Sequence, residues 1–358
     1  MKIMALSRYA LGICASVAFL AACSSGGSQA TTPTVASTAH IAPSQARATG
    51  SNRVSGMLYV ANLGTASNPT VTVYSGGKTL LRTVSQGVSS PHLLATNASG
   101  RLFVPNYGSN TVTVYTPEGK SLIRTISQGL IGPWAIVLDS NGYLYVMCNR
   151  SVEVYAPGGS SPIRRIRARN LSQYRALAFD AAGNLYATNA NAISVYAPGS
   201  NIPMLTITQG IAYPDALAFD RSGNLYVSNY LGGAGGSGSV TVYAPGTSGV
   251  LRTITQGVWF PQALQFDSSG NLYVANNAST VTVYAPGSSA VLRTISQGVN
   301  EPDALTFDGA GNLYVANYQG NTVTVYAPGS DSILRTISQG VSNPYALFFW
   351  SKNAPTSD

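Results

Sequence analysis

One position in the chain changes its chemistry each time the motif around it recurs. It follows the proline position of a Pro-x-Ala-Leu-x-Phe segment and reads, in order, His92, Trp134, Arg175, Asp215, Gln262, Asp303 and Tyr345. The neighbouring residues barely vary. A side chain held in place by a repeating scaffold and free to differ is what a ligand rim requires, because binding groups concentrate where rigid elements present them. A position that merely tolerates any residue would give the same pattern. The chemistry available is bounded. The chain holds two histidines, His40 and His92, which excludes a multi-histidine metal site and leaves His92 as the one general base near neutral pH among the repeats. Asp215 and Asp303, with asparagine oxygens, could hold a hard cation such as calcium or magnesium, which wants several oxygen ligands. Glu301 sits one residue before the proline instead of after it. No nucleophile elbow is present. No catalytic residue, metal ligand or cofactor is therefore assigned.

A second set is uniform. Asn62, Asn106, Asn149, Asn189, Asn229, Asn276 and Asn317 close a Leu-Tyr-Val-Ala-Asn element in successive copies. Asparagine both donates and accepts hydrogen bonds and tolerates turn geometry, so a structural role satisfying loop backbone in every copy is expected. A ring binding carbohydrate or an ion is the other reading.

The elements that must position these residues follow from internal repetition. The leucine opening Leu-Tyr-Val-Ala-Asn falls at 58, 102, 144, 185, 225, 272 and 313, spacings of 44, 42, 41, 40, 47 and 41. Each period holds four short runs rich in Val, Ile, Tyr, Thr and Phe, punctuated by Gly, Pro, Asn or Asp, which is the strand signature. Four strands per period of about 40–45 residues is the β-propeller pattern. The expectation is an all-β, seven-bladed propeller of four-stranded blades. In each, the Pro-x-Ala-Leu strand is innermost and the Leu-Arg-Thr-Ile strand outermost. The repeats open at Met57 on a second strand and end at Phe349 on an unpartnered inner strand, so the C-terminal strand is expected to join the first blade and close the ring. Six blades with a decayed terminal unit is the alternative. Asp-x-x-Gly-Asn segments such as Asp308–Asn312 are expected to be tight hairpins, and the spacing of 47 reflects a Gly-rich insertion in Tyr230–Ser239, either a flap or a neutral expansion.

Tyr-Val-Ala-Asn at 273–276 and 314–317, with Asn-Leu-Tyr-Val at 224–227, resembles the NHL-type and YVTN-type propellers, a superfamily that includes virginiamycin B lyase and lactonase-like proteins. The resemblance runs over about residues 55–350 and implies the fold, not one activity, because propellers host unrelated functions. The lactonase-like members imply a Glu/Asn/Asp metal site at the end of the axis, and the lyase implies histidine and acidic residues with magnesium; here the matching Glu is missing and His92 stands alone.

The N-terminal segment reads as an export signal: Lys2 and Arg8, an apolar run from Ala10 to Leu20, then Leu20-Ala21-Ala22-Cys23. This order resembles the lipobox of bacterial lipoproteins, which implies removal of residues 1–22, lipidation of Cys23 and, with Ser24 following, delivery to the outer membrane. Residues 23–53 form the lipidated cysteine and a Ser/Thr/Ala/Gly/Pro tether, 54–351 the propeller and 352–358 a tail. Cys148 alone remains in the folded region, so the core must hold without an intramolecular disulfide.

Charged residues make up 9% of the chain, with a net charge of +8, against about 25% charged residues in typical soluble domains. Few, dispersed basic residues argue against a nucleic-acid partner. Arginines 82, 124, 164, 252, 293 and 335 recur on the outermost strand and read as solvated edge protection; the cluster Arg164, Arg165, Arg167, Arg169 and Arg175 could instead touch anionic headgroups. The functional expectation is a lipid-anchored propeller of the bacterial cell envelope acting as a non-catalytic scaffold. Its partners are the membrane through Cys23 and a small ligand, glycan or envelope protein at the rim. The alternative is a metal-assisted lactonase or lyase centred on His92, Asp215 and Asp303.

Overall fold

Three of the four strand types in each repeat are buried on both faces, and the fourth alternates. That gradient reports how the blades pack. A sheet sandwiched between two others buries both faces, so its strands read as continuous Val, Tyr, Leu and Ala, while a strand at the widening periphery buries only one face. In the computed structural model, which describes residues 56–351 apart from 65–67, 168–175 and 234–235, the second strand Leu313–Asn317 is buried throughout. The outer strand Ile333–Ile337 alternates between part-buried and exposed positions before a buried terminal isoleucine. The proposed leader 1–22, Cys23, the tether, Arg169, Arg175 and the tail 352–358 lie outside the described residues.

Seven four-stranded antiparallel sheets form the seven blades of a β-propeller. We number them by the order of their second strands. Blade 7 shows the pattern: inner strand Pro302–Phe307, second Leu313–Asn317, third Thr322–Tyr326 and outer Ile333–Ile337. Blades 5 and 6 repeat it at Pro214–Ile254 and Pro261–Ile295, and blade 4 shortens its inner and outer strands to Leu177–Phe179 and Leu205–Ile207. Blade 1 is assembled from both ends of the repeat region: Pro344–Ser351 pairs antiparallel with Gly56–Asn62, from Gly56↔Ser351 to Asn62↔Pro344. The expected closure holds. It removes the free inner edge that an open array would leave.

The core lies between blades. Tyr273, Ala275, Val281 and Val283 of blade 6 pack against Leu305, Leu313 and Val315 of blade 7, and Leu58, Val60 and Tyr74 of blade 1 against Tyr314, Val323 and Val325 of blade 7. Burying each Val or Leu contributes about 1.5–3 kcal/mol relative to exposure, so every interface is a cooperative unit. Among the described residues, a tyrosine at the end of the third strand stitches six of the interfaces from outside. Tyr115, Tyr155, Tyr243, Tyr284 and Tyr326 donate to the carbonyls of Gln86, Gln128, Gln209, Gln256 and Gln297 in the loop arriving from the preceding blade, at 2.5–2.7 Å. Tyr74 donates to Gln339 at 2.6 Å and carries the same stitch across the closure.

At one end of the axis, the Asp-x-x-Gly-Asn hairpins form as expected. In blade 7, Asp308 Oδ1 accepts the Ala310 and Asn312 amides at 2.9 Å, Oδ2 accepts Asn312 Nδ2 at 2.8 Å, and Gly311 takes φ 82°. These turns clear the opposite end for the rim loops.

Four of the six outer-strand arginines correct the solvated-edge reading. Arg164, Arg252, Arg293 and Arg335 fold back over the rings of Tyr145, Tyr226, Tyr273 and Tyr314, with guanidinium carbons 5.4–5.7 Å from the ring centres. Each also donates to the tyrosine hydroxyl, and Arg335 reaches the Gly77 carbonyl of the next blade at 3.0 Å. The reason is that the second-strand tyrosine presents a π face and a hydroxyl within reach of a side chain on the same sheet face.

Candidate functional site

Among the described residues, six of the seven rim positions follow a local backbone irregularity. Before the proline stands a residue with positive φ: Ser90 (47°), Tyr213 (51°), Phe260 (46°), Glu301 (46°) and Asn343 (45°), with Gly132 (59°) in blade 3. Five of these six are not glycine, so the left-handed backbone carries strain that the fold must hold. It does so by pairing. The carbonyls of Ser90, Tyr213, Phe260 and Glu301 accept the amides of Tyr107, Tyr230, Asn277 and Tyr318, the residues just beyond the second strand, at 3.0–3.2 Å. The proline then pairs with the second-strand asparagine, as in Pro302↔Asn317, but the next pair is Ala304↔Ala316. Asp303 is thereby left as a bulge. Asp215, Gln262 and Tyr345 are skipped in the same way. A bulge re-aims one side chain out of the ladder, and here it does so at one height in successive blades.

Ring order sorts these side chains. Tyr345, His92 and Trp134 come from blades 1, 2 and 3, and Asp215, Gln262 and Asp303 from blades 5, 6 and 7. The fourth position, Arg175, falls outside the described residues. On the first arc the rings converge. His92 stacks on Trp134 with centroids 3.9 Å apart and planes 20° from parallel. Tyr345 meets His92 edge-on at 4.8 Å and Trp134 at 6.1 Å. His92 is buried, whereas Trp134 and Tyr345 remain partly open. Asp215 is buried at the start of its strand, and Gln262 and Asp303 are partly open.

Sequence reasoning missed Tyr107. It follows Asn106 and stands edge-on to both His92 (5.5 Å) and Trp134 (5.6 Å), 40% exposed. The signal was an Asn-Tyr pair, repeated at Asn106-Tyr107, Asn229-Tyr230 and Asn317-Tyr318. Farther out on blades 5 and 6, Tyr230 and Phe260 approach at 5.1 Å and Trp259 stacks edge-on to Phe260 at 5.5 Å. The insertion beside them is tied to blade 6, since the Phe260 amide donates to Ser237 O at 2.7 Å.

The asparagine set proves structural, with one correction. Asn62, Asn106, Asn229, Asn276 and Asn317 each accept a loop amide through Oδ1: those of Ser342, Ser89, Ala212, Trp259 and Asn300, at 2.9–3.1 Å. Each Nδ2 donates to third-strand hydroxyls, as Asn317 does to Thr324 at 2.7 Å and Asn106 to Thr113 at 3.0 Å. These amides are consumed by the fold. In blade 3 the corresponding residue is not Asn149, which is exposed and one residue further on, but Cys148, paired with Ser151 as Asn317 is with Thr322. Blade 4 differs again. Asn189 accepts the amide of Asn191, and Thr188 takes the Ala176 amide as Ser228 takes that of Ala216 in blade 5.

Among the described residues no group of three or more His, Cys, Asp or Glu side chains is placed to hold a metal ion, so His92, Asp215 and Asp303 do not converge on a common point. No helix among them is long and apolar enough to cross a membrane. No protein-family model matches the chain, and no curated protein is significantly similar to it.

Proposed function

We propose that the chain is a lipid-anchored β-propeller of the bacterial cell envelope that acts as a non-catalytic binding scaffold and takes its ligand at the rim. The observation that carries the binding reading is the bulged position at the start of successive inner strands. An otherwise uniform repeat there presents aromatic rings on one arc and carboxylates with an amide on the other. Strained backbone held by paired loops is characteristic of sites where a side chain must be aimed. Asn62, Asn106, Asn229, Asn276 and Asn317, hydrogen-bonded within the fold, give the contrasting pattern of residues kept for structure. The anchor rests on the Leu20-Ala21-Ala22-Cys23 segment, and its outer-membrane destination on Ser24. Kinship with the NHL- and YVTN-type propellers belongs to the same reading.

The test is thermal unfolding of the full lipidated chain in detergent, with glycan fragments, lipid headgroups, organic ions, calcium, magnesium and EDTA in turn. A ligand at one hundred times its dissociation constant stabilises by about 2.7 kcal/mol, a readily measured rise in Tm. The expected result is a shift lost in Trp134→Ala and retained in Asn149→Ala, with Cys23→Ser releasing the chain from the membrane fraction. A shift that needs a divalent cation and disappears in EDTA would favour the metal-assisted alternative.

A further inference from the structure

We infer that a string of aromatic rings on the rim side of blades 5 and 6 is a platform for a neutral oligosaccharide. The site uses different side chains from the bulged inner-strand position and stands or falls without it. Tyr213 ends the loop into blade 5, Tyr230 follows that blade's second strand, and Trp259 and Phe260 end the loop into blade 6. The Tyr230 amide donates to the Tyr213 carbonyl at 3.0 Å. The Tyr230 and Phe260 rings lie 5.1 Å apart, and Trp259 stands edge-on to Phe260 at 5.5 Å. Trp259 is 52% exposed and Tyr213 41%, so the string is open to solvent at both ends.

Three departures from the repeat meet at this place. Tyr213 and Phe260 occupy the left-handed position before proline, at φ 51° and 46°, where the other described copies carry Ser90, Gly132, Glu301 and Asn343. A bulky ring is costly to hold in that backbone, and such outliers point to a site. Trp259 stands where those four copies have Ser89, Ile131, Asn300 and Ser342. The longest connection between a second and a third strand, residues 230–238, belongs to blade 5. Its Ser237 carbonyl accepts the Phe260 amide at 2.7 Å, and a Cβ on its Gly238 would come within 2.9 Å of that nitrogen, so the insertion backs the string.

The surroundings select the ligand. On a chain of net charge +8, residues 208–214, 229–239, 255–261 and 276–280, which supply these loops, include no Asp, Glu, Lys, Arg or His. Asp215 and Glu301 border them. With no cation to pair with phosphate, the surface does not suit nucleic acid or anionic headgroups. It offers aromatic rings beside the neutral amides and hydroxyls of Thr255, Gln256 and Asn277. A sugar ring complements both: its C–H face lies on an aromatic ring while its hydroxyls reach neutral polar groups. The string is one ring wide, as an oligosaccharide is, whereas a protein interface of ordinary size needs about 800 Å² a side.

The experiment is isothermal titration and saturation-transfer NMR of the full lipidated chain, in a detergent without a sugar headgroup, with cellohexaose, chitohexaose and maltohexaose. At least one of the three is expected to bind, with an affinity that raised salt leaves unchanged because no ion pair forms. Trp259→Ala should weaken it about tenfold, and Trp259→Phe, which keeps a ring, by less. Tyr213→Asn places the blade 1 residue, as at Asn343, on the left-handed backbone. It should weaken binding severalfold at an unchanged or raised Tm, which a merely structural tyrosine would not do. Trp134→Ala, aimed at the inner-strand position, should leave this binding intact. Binding by none of the three, or binding that Trp259→Ala leaves intact, overturns the platform. Loss in Trp134→Ala but not in Trp259→Ala would move the sugar to the inner-strand position and overturn it too. Trp259-dependent capture of a protein without oligosaccharide binding overturns the assignment of the ligand.

Discussion

Blades 3 and 7 fill the same row of inward positions with different chemistry. In blade 7 the row is neutral: Asn317 spans from the Asn300 amide to the hydroxyls of Thr322 and Thr324, and Thr324 passes its own proton to the Gly298 carbonyl at 2.7 Å. In blade 3 the matching residues are Cys148, Ser151 and Glu153, with Arg165 where blade 7 has Thr336. The Glu153 carboxylate is fully buried. Its Oε1 accepts Ser151 Oγ and Arg165 Nε, each at 2.6 Å, while Oε2 has no hydrogen-bond partner. Cys148 sulfur takes over the loop amide, that of Ile131, which Asn would have received. The neutral row satisfies every group with short side chains. The charged row needs a long arginine brought in from the periphery and still leaves one oxygen unmet. The members of the hydrogen-bonded row thus differ together between the two blades.

The strongest way to break this comparison is to remove the arginine. Arg165→Ala strands the Glu153 carboxylate inside the sheet and is expected to lower stability by about 3 kcal/mol, near the low end for a broken buried pair because Arg165 is 43% exposed. Converting the whole row to the blade 7 chemistry, Cys148→Asn with Glu153→Thr and Arg165→Thr, is expected to give a protein at least as stable as the parent, since neutral replacements of buried pairs are often neutral or stabilising. Urea denaturation of the two variants decides it. A triple variant weaker than Arg165→Ala alone would mean that the charged row is the better solution in blade 3.

A second, smaller effect separates the true row from its neighbour in sequence. Asn317→Ala leaves the Asn300 amide and two hydroxyls without their partner and is expected to cost about 2 kcal/mol. Asn149→Ala, at an exposed residue one place beyond the row, should stay within about 0.5 kcal/mol. Equal losses would restore Asn149 to the asparagine set.

That pair also marks where the sequence was legible. The period, the strand order within a blade and the closure by Pro344–Ser351 could be read because each copy repeats the same apolar and turn residues, and repetition averages out local noise. The variable position stands out for the opposite reason, as variation against a fixed background. What escaped was register in blade 3, where the residue closing the second strand is not asparagine. Met147-Cys148-Asn149 offers an asparagine one residue late, although counting four residues on from Leu144, as from the leucine of every other copy, leads to Cys148. Likewise, the period places an arginine on the outer strand but not the return of its guanidinium over Tyr273 or Tyr314, which depends on side-chain reach across the sheet. Tyr107 was overlooked because it lies in a loop, where the period carries no information about which rings meet.

The smallest effect sharpens the comparison through pH. Burial pushes the Cys148 thiol up from 9.0 to about 12, with Glu153 nearby adding to the rise, whereas the asparagine of blade 7 has no proton to lose. Between pH 9 and about 12 the unfolded chain gives up this proton and the folded chain keeps it. The folded state then binds more protons, so stability falls as pH rises, and the contribution vanishes below pH 9. At pH 10 the deficit from this one group is about 1 kcal/mol. Buried tyrosines such as Tyr59 and Tyr326, each raised to about 12 by burial, push the same way, but they are common to parent and variant and cancel in the difference. Cys148→Ala should therefore lose about 1 kcal/mol less than the parent on going from pH 8 to pH 10, whatever its stability at pH 8. An identical loss would mean that the thiol reaches water in the folded protein, and prompt reaction of the native chain with a thiol reagent at pH 8 would reveal the same thing directly. Blade 3 would then open on the timescale of the assay, as expected if its charged row is the weaker of the two solutions.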